Sequence, residues 1–190
     1  MSKYKKAFIK EIIDIDITET ERFLLKIRFN RNKICNERAT IIMKNPSVAN
    51  YNYSDLTANK VINCIYNKFK NVETLSILNL FTIIAPKAKE LKKFNEFNKT
   101  SWEKNKEIIN EESKNSHYVI FAWGNKIASE HRERENEVLK IIKNLDKQPY
   151  CINTLTKEGF PRHPLYEAEI EFNLYKDELK KWLQQRSLFL

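Results

Sequence analysis

Hydrophobic positions along the chain fall into two kinds of run, and each kind predicts a different strand environment. Over residues 22–29 the apolar side chains Phe23, Leu25, Ile27 and Phe29 alternate with mainly polar neighbours, the period of a half-buried strand. Residues 30–33 then turn the chain. Four later runs, 39–43, 75–81, 118–123 and 150–153, are short and nearly continuously apolar. Such runs suit strands covered on both faces of a parallel sheet, where neither side meets water.

Helical periodicity fills the intervals. Residues 57–69 follow Asp55 or Thr57 as N-cap and carry Val61, Ile62, Ile65, Tyr66 and Phe69 at helical spacing. Thr100 and Glu103 form a capping-box pair opening a second helix through Trp102, Ile108 and Ile109. A third, over about 126–145, aligns Ile127, Val138, Ile142 and Leu145, and a fourth, over about 166–185, aligns Phe172, Tyr175, Leu179 and Trp182. Alternating strands and helices predict an α/β fold: a three-layer sandwich with a central, mostly parallel sheet and an N-terminal antiparallel hairpin. With 190 residues and 42% hydrophobic content, one domain over 1–190 is expected.

Charge narrows the partners. Against 25 acidic residues stand 34 Lys and Arg, a net charge of +9 that favours a polyanion, with nucleic acid ahead of a membrane surface. No apolar run approaches the roughly 18 residues of a bilayer span, and the N-terminus mixes Lys3, Lys5 and Lys6 with Glu11, Asp14 and Asp16 rather than forming a signal core. Cys35, Cys64 and Cys151 are scattered, which fits a reduced, cytoplasmic location. His117, His131 and His163 show no metal-ligand spacing, so no metal is expected; separately, no cofactor is expected and no obligate protein partner is evident.

In open α/β sheets ligands bind beyond the carboxyl ends of the strands, which singles out four segments. The first, residues 43–55, is a polar loop bearing Asn45, Ser47, Tyr51, Tyr53 and Asp55; it offers hydrogen bonds, stacking faces and a carboxylate, or else only turn chemistry and a helix cap. The second is Asn79 within an apolar run, an amide that must either brace a loop or read a polar ligand. The third is Trp123, Gly124 and Asn125, a turn whose backbone N–H groups suit an oxyanion. The fourth, residues 159–166, brackets Arg162 and His163 between Pro161 and Pro164, which restrict the backbone and hold both side chains in place.

Glycine usage points to the same places. Gly124 and Gly159 are the only two glycines, where average use of about 7% would give about thirteen. A coding bias toward Lys, Asn and Ile explains the general scarcity, so the survivors are expected where another side chain would be most costly.

In order, these segments resemble a little-characterised family of small bacterial and phage proteins marked by an Asn-Pro-Ser loop (Asn45, Pro46, Ser47), Asn-Leu-Phe (Asn79, Leu80, Phe81), Trp-Gly (Trp123, Gly124) and a Pro-Arg-His-Pro-Leu-Tyr loop ending at Tyr166. The likeness covers about residues 20–183. More remotely the chain is similar to the uracil-DNA glycosylase superfamily, whose sandwich carries its motifs at the same stations. Lys44 to Ser47 resembles the water-activating loop, with Asn45 in the catalytic place. Leu78 and Asn79 resemble the strand end that reads the flipped base, and His163 to Leu165 the loop whose histidine stabilises the departing base.

The resemblance implies a uracil-DNA-glycosylase-like fold and a monofunctional DNA glycosylase acting on a flipped pyrimidine in single- or double-stranded DNA; defence against phage carrying modified DNA is a further expectation set on that hypothesis and not implied by the resemblance. Asn45 would position the water, or Asp55 as the stronger base; His163 would donate to the leaving base. Asn79, Tyr51, Tyr53, Ser47, Trp123 and Gly124 would surround the base, while Arg162, Leu165, Tyr166, Lys87 and Lys89 would hold DNA. Met43 and Ser47 stand where relatives use glycine and Leu165 where they commonly use serine, so a modified base fits the expectation better than uracil. The alternatives are a non-catalytic binder of nucleotide or nucleic acid, and a nucleoside or nucleotide hydrolase.

Overall fold

A computed structural model describes residues 3–4, 7–47, 49–50, 52–84, 99–126 and 131–187. The chain runs β1 (Ile9–Ile17), β2 (Arg22–Phe29), β3 (Glu37–Met43), α1 (Leu56–Lys68), β4 (Val72–Asn79), α2 (Lys99–Lys114), β5 (Tyr118–Ala122), α3 (His131–Asn144), β6 (Tyr150–Ile152), β7 (Phe172–Leu174) and α4 (Tyr175–Ser187). The strands form one mixed sheet in the order β1-β2-β4-β3-β5-β6-β7. The four continuous apolar runs became its parallel centre: β3 lies between β4 and β5, and β6 follows β5, all parallel. The β1–β2 hairpin joins one side antiparallel, and β7 closes the other.

Alternation along the central strands sends side chains into two cores. Ile41 and Met43 join Ala58, Val61, Ile62 and Ile65 of α1 on one face. Ile42 joins Trp102 and Ile109 of α2 and Val138 and Ile142 of α3 on the other. Each such side chain contributes about 1.5 to 3 kcal/mol when fully buried, so both layers hold the sheet. The result is helices on both faces of a central sheet.

Three local expectations are corrected. β2 keeps the expected alternation over residues 25–29, where Lys26 and Arg28 stay partly exposed, but its start is covered on both faces because α2 packs over it and takes Leu24 into the second core. Residues 166–174 do not start the last helix: Ile170, Phe172 and Leu174 alternate with Glu171 and Asn173, a period-2 pattern that pairs β7 with β6, and α4 begins only at Tyr175. Thr100 lies inside α2 rather than at its cap. For α1, Asp55 is the N-cap of the two residues considered, accepting from Ala58 N at 2.8 Å. Ile127 of the third predicted helix lies outside the described residues.

Candidate functional site

β3 hands the chain to α1 on one face and its parallel neighbour β5 hands it to α3 on the other. The loops therefore diverge beyond the carboxyl ends of β3 and β5, the switch point at which open α/β sheets place a ligand crevice. Three of the four segments meet there, and Asn79 holds the first from below.

The β3–β4 ladder runs past the strands: Leu80 N donates to Met43 O and Phe81 N to Lys44 O, both at 2.9 Å. This fixes the backbone of Lys44 and the start of the first loop. Asn79, 1% exposed, donates its amide nitrogen to Leu78 O and Asn45 O, each at 3.2 Å, so the buried amide braces the loop. Asn45 is half-buried, with Nδ2 donating to Pro46 O at 3.1 Å, and Ser47 is half-buried beside it. Further along, Asn50 Oδ1 accepts from Asn52 N and Tyr53 N in an Asx-type turn. From beneath, buried Arg22 donates to Ala49 O at 2.9 Å and Tyr4 to Asn50 O at 2.8 Å. Asp55 caps α1 and supplies negative charge to Arg22. Tyr53 is 43% exposed, while Tyr51 lies outside the described residues.

At the end of β5, Trp123 and Gly124 part company. Trp123 is fully buried, stacks near Phe121 and donates its indole N–H to Glu135 Oε1 at 3.3 Å, so its ring belongs to the second core, not to an open wall. Gly124 has φ +73°, and a Cβ there would stand 3.0 Å from His163 Cβ and 3.6 Å from Lys44 Nζ. Its N–H, expected to be open to an oxyanion, instead donates to Pro161 O at 2.7 Å and ties the two turns together. Lys44 Nζ spans the crevice to Asn125 O at 2.7 Å.

The last segment is held just as locally. Gly159 has φ +84°, and a Cβ would fall 2.7 Å from the Trp182 ring. Arg162 donates through Nε to Thr154 O and through Nη1 to Glu167 Oε1, so the guanidinium mainly holds its own loop. His163 Nδ1 accepts from Leu165 N at 3.3 Å, which leaves the proton of a neutral ring on Nε2. Pro164 to Tyr166 form one 3-10 turn against α1, exposing Leu165 by 40% and Tyr166 by 79%. Lys87 and Lys89 lie outside the described residues.

Electrostatics make the crevice one-sided. Burial, then the Lys44 charge, holds the His163 imidazole down at about 4, so the ring is neutral at pH 7. Burial lowers the Lys44 ammonium to about 8. His131, the first residue of α3, is fully buried between the rings of Phe81 and Phe160, with centroids 6.0 and 5.4 Å away, and neither ring nitrogen has a partner. Burial first, then Lys44, Arg132 and Lys126, lowers it to about 3. The sequence motifs gave His131 no role, since it follows no recognisable spacing. Lys44 had one signal, a charge placed directly after a buried strand. Among the described residues no group of three or more His, Cys, Asp or Glu could hold a metal, and no helix is long and apolar enough to cross a membrane.

Fold and site together define an α/β protein whose candidate site gathers polar loops at the switch point of a mixed seven-stranded sheet. The family model DUF1643, a protein of unknown function, matches residues 22–165, and the chain belongs to that family. No curated protein and no solved structure matches it.

Proposed function

We propose that this protein is a monofunctional DNA glycosylase of uracil-DNA-glycosylase-like architecture, acting on a flipped, modified pyrimidine. The observation that carries the reading is the meeting of His163, Gly124 and the Lys44–Asn45 loop at one crevice, with His163 neutral and its Nδ1 already accepting a hydrogen bond. Hydrolysis breaks the C1′–N bond, the electron pair leaves with the base, and water oxygen bonds C1′ while its proton passes to solvent, from which the departed base anion takes up one proton. A neutral imidazole donating from Nε2 stabilises the negative charge growing on the base. Asn45, anchored from below by Asn79, orients the water. Asp55 serves as the α1 cap and as counter-charge to Arg22, which leaves the water to Asn45. Ser47 and Tyr53 flank the base, and Leu165 and Tyr166 contact the strand from which it is flipped.

Incubation with DNAs carrying varied modified bases should give alkali-labile abasic sites, lost in Asn45→Ala and His163→Ala. No base release across a broad panel, hypermodified phage DNAs included, would overturn the reading. A defence role predicts fewer plaques from modified than from unmodified phage on expressing cells; equal plating rejects that role. One observation favours a second reading, a non-catalytic binder: the amide nitrogen of Asn79 is already engaged by Leu78 and Asn45. Tight nucleotide or DNA binding that survives Asn45→Ala, without base release, would select it.

A further inference from the structure

Lys44 reaches across the crevice at a point where the backbone comes close. Its Nζ donates to Asn125 O at 2.7 Å and lies 3.6 Å from where a Gly124 side chain would begin, and His163 Cβ lies 3.0 Å from that same point. One carbonyl satisfies one of three ammonium protons. No ion pair joins Lys44 to a carboxylate among the described residues, although Lys26, Lys68, Lys104, Lys106 and Lys181 each have one. The charge is also partly withdrawn from water. His131 packs on Phe81, whose backbone N–H bonds Lys44 O, and on Phe160 from the last segment; it is fully buried with both ring nitrogens unpartnered. Unpartnered buried polar groups are uncommon in folded proteins and call for a reason, and this one lies within reach of the Lys44 charge. Both features are explained by a ligand that brings negative charge.

We infer that Lys44 and His163 form an oxyanion-binding pair at the β3–β5 crevice, taking an anionic oxygen of the ligand, with His131 as the uncharged imidazole packed on neighbouring Phe81. Two sources carry that oxygen: a phosphate beside the flipped nucleotide, or the departing base itself. The choice between them rests on the glycosylase reading, but the site's affinity for an anion does not.

The first test therefore needs no turnover. Inorganic phosphate is titrated into the protein at constant ionic strength against chloride, following the ring signals of His131 and His163 by NMR. Saturable shifts in both rings are expected, at least tenfold weaker in Lys44→Met and recovered in Lys44→Arg. Shifts no different from chloride, or equal in wild type and Lys44→Met, overturn the site. On a DNA that releases base, the same variant separates the sources. A backbone phosphate places the loss in the dissociation constant for DNA, and the leaving base places it in the single-turnover rate, at least tenfold. A loss in neither again overturns the site. If no DNA releases any base while phosphate still binds through Lys44, the glycosylase reading fails alone.

Discussion

At Gly124 two constraints coincide: a φ of +73°, and a Cβ position 3.0 Å from the Cβ of His163. Gly124→Ala should cost about 1 to 3 kcal/mol from the left-handed backbone, read as a lower urea midpoint, and should also push His163 out of place. A variant that loses stability but keeps full activity would show that His163 tolerates the shift. His131 predicts the opposite sign. A buried imidazole without partners costs about 1 to 3 kcal/mol, so His131→Leu, close in volume, should raise stability while weakening the phosphate response. Its pH dependence follows from the lowered folded values of about 3 for His131 and about 4 for His163. Between these and the unfolded value near 6.5 the unfolded chain binds more protons, so stability is complete above about 6.5 and declines as pH falls. His131→Leu should flatten that decline, as urea midpoints at pH 7, 6, 5 and 4 would show; an unchanged profile would remove His131 as a contributor.

Elements decide how far the site could be read in advance. The four continuous apolar runs marked the parallel strands, so the α/β class was legible, as was the gathering of the loops that follow β3 and β5. Long-range geometry was not. Whether Asn79 braces or reads, and whether Trp123 faces a ligand or the core, depends on which side of the sheet α2 and α3 cover, and periodicity is silent on that. The short β7 was hidden because Phe172, Tyr175, Leu179 and Trp182 satisfy helical spacing as well. Asp55 is the element-scale test. Asn preserves an N-cap and Ala does not, so Asp55→Ala should cost about 1 kcal/mol more than Asp55→Asn from the cap alone. In base release, Asp55→Asn should stay within a few-fold of wild type; a loss matching that of Asn45→Ala would transfer the water-orienting role to Asp55.

For the whole molecule, the excess of 34 basic over 25 acidic residues would favour any polyanion, and on the proposed reading the strand-end site would choose among them. These contributions separate by their response to salt. Each phosphate neutralised on duplex DNA lowers log K by about 0.9 per decade of salt, whereas contact between apolar side chains and bases releases no counterions. Leu165 and Tyr166, exposed by 40% and 79% on a turn held against α1, are the apolar side of the surface beside His163. Replacing both with Ala should therefore weaken binding to an abasic-site duplex at every salt concentration, with the slope of log K against log salt kept. Reversing charge at Lys60, on α1 beside the same turn and bonded to Glu167 O, should instead change the slope by about 1 or more if the duplex crosses that face. Fluorescence anisotropy from 50 to 300 mM salt reads both. Parallel lines for the Leu165 and Tyr166 double variant and a shallower line for Lys60→Glu would orient DNA across the crevice mouth; the reverse assignment would mean that the strand enters from another side of the sheet.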